Sequence, residues 1–241
     1  MVGEWEAIFY SSLTGLSTVI GSLLVLFFRL NSRQVAFSLG MSAGVMVLVT
    51  YFTLLPSAFT YGGWPHLWIG FVIAIVAMLL IHHLPFSKVK DEGESDHQLG
   101  RLGIFLVIAI ALHNAPEGIA IGMGYQLEAQ LGHTLVIAML VHNLPEGIGL
   151  AAPLVVAGKH PLFIFLLSLF SGAILPIGTW LGKYMTDSLD VVAIGLVFAA
   201  VSMIWIVCRE IGPRALALSQ THTWIGIGSG CLLMYIIHLF H

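Results

Sequence analysis

Apolar positions gather along this chain into eight long blocks, at about 5–29, 35–58, 64–84, 101–124, 130–157, 160–184, 188–210 and 222–240. Each is close to or above the roughly 20 residues that a helix needs to cross the hydrocarbon of a bilayer. The breaks are short and collect turn and charged residues. Asn31-Ser32-Arg33 closes the first block, Gly62-Gly63-Trp64-Pro65 closes the second, and Pro161 opens the sixth. Only Lys88 to Gln98 forms a longer polar segment. The pattern predicts an all-α polytopic membrane protein with eight transmembrane helices. They form a single transmembrane domain over residues 1–241, with a linker at about 85–100. Glu4 and Glu6 precede the first block where a leader would carry basic residues, so this block reads as a permanent helix.

Composition sharpens this picture. Hydrophobic residues make up 58% of the 241 and charged residues only 9%, against about a quarter charged in an ordinary soluble domain. So little polar cover leaves lipid as the solvent for most of the chain. No basic patch points to nucleic acid as a partner. Cys208 and Cys231 stand in apolar stretches and read as small core hydrophobes rather than a disulfide framework.

The basic residues set an orientation. Odd-numbered connections contain or border Arg29, Arg33, Lys88, Lys90, Arg101, Lys159, Arg209 and Arg214, whereas even-numbered ones have only Lys183. The odd side is therefore expected in the cytoplasm, and both termini outside, or in the periplasm of a bacterium. The linker at about 85–100 then lies in the cytoplasm.

Against this apolar background two charged motifs stand out. His113-Asn114-Ala115-Pro116-Glu117-Gly118 on the fourth block is repeated as His142-Asn143-Leu144-Pro145-Glu146-Gly147 on the fifth, 29 residues later. In each, His and Glu are four residues apart and share a helical face. Pro116 and Pro145 cannot bond the carbonyls of Leu112 and Val141, so each is expected to kink its helix beside the His and Glu. A carboxylate at mid-membrane costs about 2.5–3.5 kcal/mol, so the pair costs about 5–7. Two facing glutamates also repel unless a cation or proton lies between them. One divalent ion balances both, while neutral imidazoles add ligands without charge. Mixed imidazole and carboxylate ligands suit zinc and its neighbours iron, manganese, cobalt and cadmium better than magnesium or calcium. Asn114 and Asn143 offer amide oxygens on an adjoining face.

At these residues the chain resembles the ZIP (Zrt-, Irt-like protein) family of divalent metal transporters, bacterial members above all. The segment from Ala36-Phe37-Ser38-Leu39-Gly40 to Ser42-Ala43-Gly44-Val45-Met46 is similar to the family's second helix. The resemblance implies eight helices and metal movement into the cytoplasm. It implies a metal site of His113, Glu117, His142 and Glu146, with Asn114 and Asn143 towards a neighbouring subsite. It adds Met46 as a soft ligand, where the residues alone suggest core packing. Many members carry a helix-6 glutamate in a pattern like S-G-x-x-E, whereas here Ser171-Gly172-Ala173-Ile174 leads to Leu175. With leucine there, one tightly held metal is expected rather than two. Glu210 is placed either to relay an emerging ion or, more simply, to pair with Arg209. The acidic linker residues and His97 read as a solvated loop, though similar linkers are thought to collect metal. Trp5, Trp64, Trp68 and Trp224 read as interfacial belt residues.

The expected function is uptake transport of zinc, with the related ions as further substrates, across the cell (inner) membrane. The expected partners are the divalent ion and the lipid bilayer, and a homodimer is compatible with this reading. No catalytic cofactor is expected, and the chain does not read as an enzyme. The alternative is an intramembrane zinc-dependent hydrolase, which would need an open coordination position and a separate base. The chain lacks H-E-x-x-H. An inverted repeat of helices 1–3 and 6–8 would suit a transporter, but the sequence alone does not display one.

Overall fold

The computed structural model describes residues 4–28, 30–82, 114–156, 158–184 and 188–239. These residues are helical and contain no strand. Helix α1 is Glu4–Phe28, α2 Ser32–Val49, α3 Leu55–His82 and α4 114–127. They are followed by α5 Ala129–Val156, α6 Pro161–Tyr184, α7 Leu189–Ile206, α8 Gly212–Leu218 and α9 Gln220–Leu239. Six apolar helical runs in the described part are long enough to cross a membrane. The chain is thus a polytopic all-α membrane protein. The linker at about 85–100 and the first half of the fourth block lie outside the described residues.

The punctuation works as local chemistry requires. Asn31 caps α2: its side-chain oxygen accepts from the N–H groups of Arg33 and Gln34, while Gln34 Oε1 accepts from Asn31 N–H. The run Ser32–Leu80 breaks at Gly63, whose φ of 67° lies in the left-handed region that glycine adopts without steric penalty. Two blocks run further than expected. The second continues past residue 58 to Gly62 through a π-helical turn at Thr50–Leu54, and the seventh passes residue 210 through another at Val207–Ile211. In each, an N–H reaches back five residues, from Leu55 to Thr50 and from Gly212 to Val207. Pro56 and Pro213 follow immediately. A proline ring crowds the carbonyl four residues before it and cannot bond it. The widened turn takes up that misfit, so the helix passes the proline without ending.

These correspondences belong to a larger one. A shift of 157 residues carries Gly15 to Gly172, the cap Asn31 to the cap Ser188, Thr50 to Val207, and Pro56 to Pro213. It also carries the break at Gly63 to Gln220, where α9 starts. Residues 4–82 and 161–239 thus repeat each other element for element, without an insertion. The packing follows the same exchange. Helix α2 lies on α9 as α7 lies on α3. Helices α1 and α6 cross where Gly15 and Gly172 meet backbone to backbone, leaving no room for a Cβ on either. The pair α4–α5 sits against this crossing, α5 along α1 and α4 along α6. Outward faces such as Trp68, Phe71, Val72 and Val76 on α3 are broadly exposed and apolar, as a lipid-facing helix requires. Trp5, Trp64, Trp68 and Trp224 are all exposed.

Candidate metal site

The two motifs meet where α4 packs beside α5. Glu117, His142 and Glu146 each bring one ligand atom to within 4.8 Å of the others, and all three side chains are buried. His142 Nε2 stands 3.2 Å from Glu117 Oε1 across the helix pair, and Nδ1 lies 3.1 Å from the Ala138 carbonyl one turn earlier on its own helix. A carbonyl oxygen only accepts, so Nδ1 must carry the proton. In the neutral ring Nε2 is then a bare lone pair facing a carboxylate oxygen, which also only accepts. Two acceptors at that distance require a cation or a second proton between them. Metal-bound histidines are commonly held in this way, the non-ligating nitrogen donating to a backbone carbonyl.

Each motif is fastened to its own flanking helix by equivalent contacts. Asn114 Nδ2 donates to the Ser171 carbonyl at 3.0 Å and to Ser171 Oγ at 2.9 Å, tying α4 to α6. Asn143 Nδ2 donates to the Thr14 carbonyl at 3.4 Å, tying α5 to α1. The asparagines therefore spend their amide hydrogens on the scaffold. Each side-chain oxygen is buried and has no hydrogen-bond partner among the described residues. One turn on, Gly118 abuts the Leu175 carbonyl and Gly147 the Thr18 carbonyl, so closely that an added Cβ would lie 2.3 Å and 2.0 Å from those oxygens. Thr179 Oγ1 then bonds the Gly118 carbonyl at 3.1 Å, and Ser22 Oγ bonds the Gly147 carbonyl at 3.0 Å. Thr14, Thr18 and Ser22 correspond to Ser171, Leu175 and Thr179 under the 157-residue shift. Sequence reasoning missed these hydroxyl partners, because the bonds join residues 57 to 129 positions apart.

The remaining candidates fall differently. His113 lies outside the described residues, as do His83, Asp91, Glu92, Glu94, Asp96 and His97 of the linker. Met46 is fully buried on α2 and its sulfur accepts from Ser42 Oγ at 3.8 Å. It is not one of the three clustered side chains Glu117, His142 and Glu146. Glu210 is not among them either. Its expected partner is corrected: the carboxylate bonds Arg214 at 3.0 Å, while Arg209 lies over the Trp205 ring, 5.5 Å from its centre. Adjacent residues of a helix diverge in direction, whereas those four apart share a face. Leu175 is fully buried, and α6 adds no carboxylate to the cluster.

The sequence profile of the ZIP Zinc transporter family matches residues 79–238, about two thirds of the chain and both motifs. The chain belongs to the ZIP zinc transporter family. Relatives of this ZIP protein include "Zinc transporter ZupT" of Chlorobium luteolum, 36% identical with 95% of each chain covered. Similar are "Zinc transporter ZupT" of Stenotrophomonas maltophilia, 33% identical over 94% of this chain and 92% of the relative, and of Streptococcus mutans, 32% identical over 96% of each. The ZIP chain is accordingly a transporter, not an enzyme, and the hydrolase alternative is not favoured.

Proposed function

We propose that this ZIP protein carries zinc into the cytoplasm through the α4–α5 site. Its ligands are His113, Glu117, His142 and Glu146, with the oxygens of Asn114 and Asn143 at an adjoining subsite and Met46 as an additional soft ligand. Iron, manganese, cobalt and cadmium share the ligand preference and are further substrates. The observation that carries this reading is the meeting of His142 Nε2 with Glu117 at 3.2 Å in a fully buried setting. Zinc satisfies both acceptors and, with Glu146, leaves no net charge to cross the lipid. Binding displaces whatever proton the pair shares, so protons and zinc compete.

Eight passes are proposed: the six apolar runs, with Ser32–Leu80 counted twice because of the Gly63 break, and the fourth apolar block, of which 114–127 is described. Both termini then face outward in a bacterial inner membrane. A homodimer is compatible with this arrangement, and Glu210, held by Arg214, stands on the cytoplasmic side to meet the departing ion. The test is zinc uptake into proteoliposomes carrying an internal zinc-sensitive dye. Wild type should fill the vesicles, and His142→Ala or Glu146→Ala should reduce uptake to the protein-free rate. Undiminished uptake by either variant defeats the proposal.

A further inference from the structure

The geometry of His142 occurs a second time, away from the α4–α5 site. His66 stands just past the Gly63 break, and its Nδ1 donates to the carbonyl of Gly62, four residues earlier. Its Nε2 lies 3.0 Å from Oδ1 of Asp190, in the first turn of α7. As at His142, one ring nitrogen is committed to a backbone carbonyl and the other faces a carboxylate on a neighbouring helix. Gly62 packs so tightly against Ala193 that the carbonyl, the ring and α7 form one docked unit. The Asp190 side chain is 67% exposed and His66 23%. A cation there is reachable from water and can keep part of its hydration shell.

The 157-residue shift supplies a second, independent observation. The counterpart of Asp190 is Arg33, at the start of α2. Arg33 lines a cleft of about 510 Å³ together with Asn31, Gln34, Ser38 and His222, and the cleft reaches Ile148, two residues beyond Glu146. Ser219 Oγ, not a carboxylate, meets His222 Nδ1 at 2.9 Å. Equivalent positions at the two ends of the molecule therefore carry opposite charges. One end pairs histidine with a carboxylate; at the other, the carboxylate's counterpart is Arg33, and the histidine lining the same cleft bonds a hydroxyl.

We propose that His66 and Asp190 form a second, outer cation site that captures a divalent transition metal before it reaches the α4–α5 site. The assignment of this rim to the outside rests on the orientation proposed above. Imidazole and carboxylate offer the zinc-type ligand pair, and water completes the shell, so the site holds the ion weakly and releases it inward. Arg33 at the inner cleft disfavours recapture there, and the two rims together bias movement towards the cytoplasm.

Two measurements test the site. In proteoliposome uptake, Asp190→Asn should raise the half-saturating zinc concentration about tenfold at an unchanged maximal rate, a charged rim being worth at least that in local cation concentration. Asp190→Glu should stay near wild type. A mere structural clip between α3 and α7 would instead lower the maximal rate at unchanged half-saturation, and that outcome overturns the proposal. Separately, zinc is titrated calorimetrically into detergent-purified Glu117→Gln/Glu146→Gln protein, with and without Asp190→Asn. Weak binding lost on adding Asp190→Asn supports the rim site even if wild-type protein fails to transport, in which case only the transport reading falls. Binding that does not depend on Asp190 overturns the rim site whether or not the protein transports.

Discussion

His142 is oriented by its own helix before anything binds it: the Ala138 carbonyl accepts a hydrogen bond from Nδ1–H, which turns Nε2 towards Glu117. Such preparation lowers the conformational cost of holding a metal and fixes which nitrogen does so. The same reasoning makes Leu175 a decisive residue. It is fully buried on α6, and its backbone oxygen touches Gly118, the residue after Glu117. Two dications would bring four positive charges to the two carboxylates Glu117 and Glu146, so wild-type protein should hold one zinc tightly. Leu175→Glu adds a third carboxylate and should raise the tightly bound zinc from one to two per chain, measured by metal analysis after dialysis. Two tight zincs in wild type, or one in the variant, would refute the charge argument. The variant should also melt lower than wild type without metal, since an uncompensated carboxylate is then buried.

At the scale of helices, the metal ligands are held in place by close backbone approach. Gly147→Ala should force α5 off α1, because the added methyl meets the Thr18 carbonyl and no flexible side chain can yield. Overpacking of this kind costs about 1–3 kcal/mol. It should appear as a lowered melting temperature in detergent and weaker zinc binding, since the Asn143–Thr14 bond lies one turn away. Gly228→Ala is the control, having nothing within 4 Å of its added methyl, and should leave both unchanged. The sequence made the helix pair legible because His, Asn, Pro, Glu and Gly recur in the same order, and it placed the Gly63 break and the Pro161 start correctly. It did not show that the helical runs of the second and seventh blocks pass residues 58 and 210. Pro56 and Pro213 are visible in the sequence, but a widened turn that absorbs a proline depends on bonds formed only in the folded helix. Nor did it rank Arg214 above Arg209 as the partner of Glu210, because the seventh block was expected to end at residue 210 and the four-residue spacing counts only where the helix continues.

For the molecule as a whole, the proposed orientation rests on where the basic residues fall. With Cys208 and Cys231 replaced by serine, a membrane-impermeant maleimide should label Arg33→Cys only from the cytoplasmic face and Glu6→Cys only from outside. The reverse pattern would invert the direction of transport and the roles of the two rims. The repeat itself was beyond reach of pattern reading, because its copies share little beyond small and aliphatic residues, one proline pair, Pro56 and Pro213, and one methionine pair, Met46 and Met203. Its unbroken register nevertheless has a mechanical meaning. Two halves of equal length and matched joints can trade shapes, each adopting the bend of the other. The cleft beside Arg33 would then close as the equivalent region beside Asp190 opened, so a single fold already contains the drawing of its opposite pose. What tilts the seesaw is the handful of positions at which the copies disagree, and Arg33 and Asp190 are the pair that disagree in sign.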